Sequence, residues 1–298
     1  MHPRRTFALL AVLAIACSAS LAGATLPGRN GKLYFTIFTP RGGLEIAWVD
    51  VAHPQRVHVV RWLLGVGNVS WSADGRQIAY VTPTGLFVAH ADGSARRRLT
   101  KVRPRTPVYD GEPSWSPDGK WIAFAHVGPN RSRIELVHPN GTGRHTLTSG
   151  DVPTWSPSGR ELAFQAGPVG DVHLFVIGRN GSGRRQITHT SGASDTLPDW
   201  SPSGRQIVFV TTAPGSSHLS VIDAHGSAAP KQLAQSNLYD TTAGWSPDGR
   251  WIAFARGERL KSFSLYLIHP DGSGLRRLTS GSLNVQIPRW RPLPRGRP

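Results

Sequence analysis

Four aspartates stand at matched offsets from a recurring tryptophan. Asp110, Asp195 and Asp240 each lie five residues before one, and Asp151 lies four before another. Two of the four follow a tyrosine, Tyr109 and Tyr239. Carboxylates brought to one place in an otherwise basic chain would hold a cation or the cationic end of a peptide, because hard cations select oxygen ligands. The same positions have a local use, since an aspartate entering a strand caps its own turn through backbone N–H groups. Repetition favours the local use, because a structural role recurs with every repeat.

A second set is the residue before each recurring tryptophan: Ser70, Ser114, Thr154, Asp199, Gly244 and Arg289. Strand alternation gives all six one orientation, towards a central channel. Gly244 has no side chain, so Asp199 and Arg289 on either side of it are expected to approach across that channel as a structural ion pair. Basic residues form the third set. Arg97, Arg98, Arg144, Arg184, Lys231 and Arg276 lie near the last strands of their repeats, and Arg76, Lys120, Arg160, Arg205 and Arg250 follow a recurring turn. That spread lacks the single groove with interleaved aromatics that single-stranded nucleic acid requires. Nucleic acid is therefore not an expected partner, whereas an anionic cell-wall polymer is a candidate.

Reaction motifs are missing. The chain has no G-x-S-x-G elbow, no H-E-x-x-H and no P-loop. Its 12 histidines are scattered, and His138 and His269 occupy equivalent repeat positions, which marks them as scaffold. No catalytic residue, metal site or cofactor is expected. The alternative is a lyase or hydrolase with a metal at the channel mouth.

The elements that position these residues come from a repeat. WSPDGKWIAF begins at Trp115 and recurs with small changes from Trp71, Trp155, Trp200 and Trp245, with a truncated copy at Trp290. A period of 40–45 residues with strand-like content is the mark of a propeller blade. Each repeat divides into four antiparallel strands, A to D, with S-P-D-G joining A to B and Asn-Gly or Asp-Gly pairs joining C to D. In the third repeat strand A is placed at 112–115, so the aspartates precede it. The chain opens at a strand B near Gly31 and closes on a lone strand A at 285–290. Joining those ends gives an all-β, six-bladed propeller closed by a 3+1 blade. Closure removes exposed sheet edges. The short A–B and C–D turns fall on one face and the long B–C and D–A loops on the other. Loops on a rigid scaffold carry recognition, so the long-loop face is the candidate binding surface.

Residues 1–24 read as an export signal: Arg4 and Arg5, an apolar run, then Ala22-Gly23-Ala24 as a cleavage site. The remainder, 25–298, is one propeller domain, expected to be a monomer with no other stretch of transmembrane length. Cys17 is the only cysteine; it would be removed with the signal, or would serve as a lipid anchor, leaving no disulfide in the mature chain. The net charge of +16 suits anionic surroundings or simple solubility.

The repeated W-S-P-D-G-R-x-I-A-F, with H-P-D-G-S-G-x-x-R-x-L-T downstream, resembles the TolB-like propeller family over about residues 31–290. The resemblance implies a periplasmic or secreted six-bladed propeller that binds partner proteins. It covers the propeller alone, without the α/β domain that precedes it in TolB. Prolyl-oligopeptidase-type peptidases carry similar propellers, but no hydrolase domain follows from this sequence. Oligogalacturonate lyases share the repeat style and bind a metal through histidines, and no H-x-H cluster here matches that. The expected role is protein or ligand binding in the cell envelope, with another envelope protein or peptide as partner.

Overall fold

The S-P-D-G turn owes its composition to its hydrogen bonds. Ser116 Oγ donates to Asp118 Oδ1 at 2.6 Å and accepts the Trp121 N–H at 2.9 Å, while the Lys120 N–H reaches Asp118 Oδ1 at 3.0 Å. Gly119 takes a φ of +70°, open to glycine without steric cost. Ser72 with Asp74 and Ser246 with Asp248 repeat the arrangement. Each such turn sends the chain from one strand into its antiparallel neighbour.

The computed structural model describes residues 27–293, apart from 41, 67, 105, 259–260 and 280–282. The expected export segment and Cys17 lie outside the described residues. Six four-stranded antiparallel sheets form the six blades of the ring. The strands nearest the axis are Val69–Trp71, Tyr109–Trp115, Asp151–Trp155, Ser194–Trp200, Tyr239–Trp245 and Val285–Trp290, and each blade is named here by the tryptophan that ends its inner strand. The Trp290 blade closes the ring: Val285–Trp290 pairs with Leu33–Phe38, with Leu33 opposite Trp290 and Ile37 opposite Val285. Among the described residues no helix is long and apolar enough to cross a membrane.

The core lies between blades. Trp115, Ile122 and Phe124 pack on Ala79, Leu86 and Val88 of the preceding blade. Trp155, Leu162 and Phe164 do the same against Ala123, Ile134 and Leu136. The conserved register of the repeat thus becomes a ring of matching apolar contacts, each side chain withdrawn from water. His138 and His269 belong to this scaffold. Each stacks on a tryptophan, Trp121 or Trp251, with centroids 3.7 and 3.8 Å apart, and bonds a backbone carbonyl through Nδ1.

One regular feature departs from the expected strand boundaries. Three residues before the tryptophan, Glu112, Val152, Leu197, Thr242 and Ile287 take φ values of +47°, +55°, +62°, +38° and +63°. Pairing of the inner strand with its neighbour slips there, which is a β-bulge. Left-handed backbone at a β-branched residue such as Val152 or Ile287 is uncommon and strained, at a cost of order 1–3 kcal/mol. All five are buried, so packing from both neighbouring blades holds them. Beyond the bulge the inner strand resumes and runs on to the long-loop face. The aspartates therefore stand inside the inner strands, not ahead of them: the strand of the Trp115 blade begins at Tyr109.

Candidate functional site

Past the bulge, each inner-strand aspartate faces one residue of the next strand. Asp110 is opposite His126, Asp195 opposite Thr211 and Asp240 opposite Arg256. All three carboxylates are buried, at 4, 0 and 1 % exposure. A buried carboxylate needs hydrogen-bond partners, and here each finds a different one.

Asp240 has the most complete set. Arg256 Nε donates to Oδ1 at 2.5 Å and Nη2 to Oδ2 at 2.8 Å, and the Leu219 N–H of the preceding blade approaches Oδ2 at 3.4 Å. Burial pushes the Asp240 carboxyl above its ordinary range, against the opposing pull of Arg256. Asp195 accepts from Thr211 Oγ1 at 2.8 Å; His173 Nδ1 lies 3.9 Å from its other oxygen, and His173 Nε2 is 3.1 Å from Asp171. Asp110 is held by Thr100 Oγ1, which also accepts the Leu86 N–H at 2.8 Å, and by His126 Nδ1 at 2.7 Å. A carboxylate only accepts, so that Nδ1 carries the hydrogen.

Asp151 differs from these three. It is half-buried, its Oδ1 accepts the Val152 N–H at 2.8 Å, and burial alone raises its carboxyl above the ordinary value. Each of the four acids thus has hydrogen-bond partners of its own. Among the described residues, no group of three or more His, Cys, Asp or Glu side chains could hold a metal ion. Of the two tyrosines, Tyr109 is 39 % exposed and Tyr239 is half-buried.

The residues before the tryptophans have their own geometry. Ser70 Oγ accepts the Trp115 N–H at 2.9 Å, and Asp199 Oδ2 accepts the Trp245 N–H at 2.8 Å, so each ties its blade to the next. Arg289 is buried, and its Nη1 donates to the carbonyls of Ala243 and Pro288, both at 2.9 Å. It lies where Gly244 has no side chain: a Cβ there would fall 2.7 Å from Nη1. Burial lowers the guanidinium to about 10, while the charge of Asp199 supports the protonated form.

Two cavities open beside the aspartate pairs. One, of about 230 Å³, is lined by Val108, His126, Pro129, Asn130, Arg131 and Arg133. The other, of about 380 Å³, is lined by residues including Arg256, Lys261, Tyr266 and Arg277. Both are basic, and both lie at the B–C loops. A wider cavity of about 740 Å³ opens on the short-turn face between Asp74, Arg76, Pro117, Asp118, Pro157 and Pro247. His126 is the site residue that composition and motif searches pass over. Its signal is an offset of 16 from Asp110, the same offset that separates Thr211 from Asp195 and Arg256 from Asp240.

Ring, bulges and buried carboxylates together define a six-bladed β-propeller with a uniform short-turn face and a varied long-loop face. The chain belongs to the TolB beta propeller domain family (PD40), whose profile matches residues 86–295. Among solved structures it is similar to TolB from Acinetobacter baumannii, at 20% identity and a TM-score of 0.72, over 89% of this chain and 68% of that one. Putative TolB from Agrobacterium tumefaciens gives 17% identity and a TM-score of 0.66, over 89% of this chain and 100% of that one. An oligogalacturonate lyase from Vibrio parahaemolyticus gives 14% and 0.55, over 87% and 77%. At these identities the likeness is one of fold. No curated protein matches the chain.

Proposed function

We propose that this protein is an exported binding module of the cell envelope, periplasmic or secreted, that recognises another envelope protein or peptide through its long-loop face. The supporting observation is the combination at that face of fixed and available groups. Buried Asp110 and Asp240 anchor His126 and Arg256 at the roots of B–C loops, and beside them lie two basic cavities and the exposed ring of Tyr109. A surface so held loses little conformational freedom on association. An exposed tyrosine supplies large contact area with a polar tip. The N-terminal pattern of paired arginines, apolar run and A-x-A supports export.

Asp151, Asp195, Asp199 and Arg289 fit this reading as supports of the face and channel rather than as the contacting groups. The test is capture from the organism's own envelope extract with identification of the bound protein. Tyr109→Ala combined with Tyr239→Ala is expected to abolish capture, while Arg160→Ala combined with Arg205→Ala, beyond the short turns, leaves it intact. The reverse pattern would move recognition to the short-turn face. A charge-held envelope role is the second reading, favoured by the +16 net charge and the exposed Arg97, Arg98 and Arg276. That role requires binding to cell-wall fractions that disappears between low and high salt.

A further inference from the structure

The three aspartate slots differ in what they leave over. In the Trp245 blade the slot is closed, because Arg256 gives Asp240 two hydrogen bonds. In the Trp200 blade Thr211 spends its hydroxyl hydrogen on Asp195. In the Trp115 blade Asp110 takes only Nδ1 of His126, so the imidazole retains Nε2 for another partner. The ring is 19 % exposed and lines the 230 Å³ cavity. Thr100 from the preceding blade holds the second oxygen of Asp110, so the carboxylate, and with it the imidazole, has one orientation.

The cavity is charged on one side and apolar on the other. Arg131 lines it and is exposed, with no carboxylate in bridging distance among the described residues. Arg133 lines it too and stands 3.7 Å from Glu135, whose other oxygen is already taken by Arg144 Nε at 2.6 Å. Three guanidiniums, of Arg131, Arg133 and Arg144, stand against the two carboxylates of Asp110 and Glu135, which leaves the cavity positive. Val108 and Pro129 form the apolar wall. The volume suits one amino-acid side chain rather than a chain of sugars. A methylene stem against Val108 and Pro129, with an oxyanion against the Arg131 guanidinium, is the shape of a glutamate side chain.

We infer that this cavity is a carboxylate-binding pocket for an acidic residue of a peptide, with Arg131 as the ligand donor, the Nε2 edge of His126 forming the wall beside it, and Asp110 and Thr100 as residues that position that wall. The inference rests on the long-loop face being the recognition surface and names the chemistry that face reads.

The probe is N-acetylglutamate amide, titrated into the full-length protein while the His126 ring protons are followed by NMR; His126→Gln identifies their resonances. A saturable shift of His126 is expected, with N-acetylglutamine amide producing none. Arg131→Ala, an exposed substitution that leaves the core untouched, should weaken the response about tenfold, equal to about 1.4 kcal/mol. Thr100→Val, which removes the hydroxyl that orients Asp110, should weaken it without abolishing the His126 resonances. Equal responses to glutamate and glutamine, or no saturable movement, would overturn the pocket. Inorganic phosphate binding as tightly as the glutamate probe would overturn its assignment to an acidic peptide. The two readings fail separately: a silent titration removes the pocket and leaves capture through Tyr109 and Tyr239 standing, and lost capture with an intact titration does the opposite.

Discussion

Arg256 and Asp240 meet through two parallel hydrogen bonds, 2.5 and 2.8 Å, with 4 and 1 % of their side chains exposed. The pair joins the inner strand of the Trp245 blade to its neighbour just past the bulge. A bidentate guanidinium–carboxylate contact is directional as well as strong, so it fixes the strand end as well as its charge.

Removing one partner strands the other in a dry site. Asp240→Ala is expected to cost about 3–5 kcal/mol in urea unfolding, because Arg256 would be left buried without a counter-charge. Replacing both, as Asp240→Asn with Arg256→Met, should recover most of that loss. A single change costing under about 1 kcal/mol would show that the pair does not anchor the blade.

Asp151 makes the opposite prediction for pH. Its carboxyl is raised by burial above an ordinary value of 3.8, with the Val152 N–H as the opposing influence. The unfolded chain gives up this proton first, so between 3.8 and the folded value the native state carries the extra proton. Stability from this group therefore falls as pH rises through that window and stays lower above it. Asp151→Asn keeps the acceptor for Val152 and has no proton to lose. The variant should be more stable than the parent at pH 7 and lose that advantage below pH 3.8, as read from thermal midpoints across the range. An unchanged difference between pH 3.5 and 7 would contradict this.

Six blades and their closure were legible because the repeat residues have local work to do. Ser116, Asp118 and Gly119 each fill a particular hydrogen-bond or φ requirement of one turn, and tryptophan at one phase fills one inter-blade contact. The bulge was not legible. Glu112, Val152, Leu197, Thr242 and Ile287 share no left-handed preference, and packing between blades imposes the conformation on whatever residue stands there. Missing the bulge placed Asp110, Asp195 and Asp240 ahead of their strands. It also hid the pairing with His126, Thr211 and Arg256, since that pairing exists only where the strand resumes beyond the kink.

Gly244 is needed for room rather than for backbone freedom. A Cβ there would stand 2.7 Å from Arg289 Nη1 and 2.9 Å from the Pro288 carbonyl oxygen. Gly244→Ala would push a buried guanidinium off the two carbonyls that receive it, and overpacking of this kind costs about 1–3 kcal/mol. Combining it with Arg289→Ala removes the closer of the two contacts and leaves that with the Pro288 carbonyl, so the double variant should lose less than the sum of the single changes. Additive losses would show that the two positions do not share the space.

Ring closure yields the last test. Val285–Trp290 covers the edge of Leu33–Phe38, whose Leu33, Phe35 and Ile37 lie in the core, and the Arg291 N–H bonds the Lys32 carbonyl at 3.0 Å. Arg291 then reaches the following blade: Nε and Nη2 donate to the Gly75 carbonyl at 3.1 and 2.7 Å, and the guanidinium stands 4.7 Å over the Trp71 ring. Arg291→Ala keeps the strand and loses only this clasp, so its expected cost is about 1–2 kcal/mol with the elution volume of the parent unchanged. Deleting residues 285–298 uncovers an apolar strand edge, and unpaired edges recruit other chains. That variant should elute from a sizing column as species at least twice the size of the parent, at concentrations where Arg291→Ala elutes with the parent. Should the deletion elute with the parent and be as stable, the 3+1 blade would not be what closes the ring.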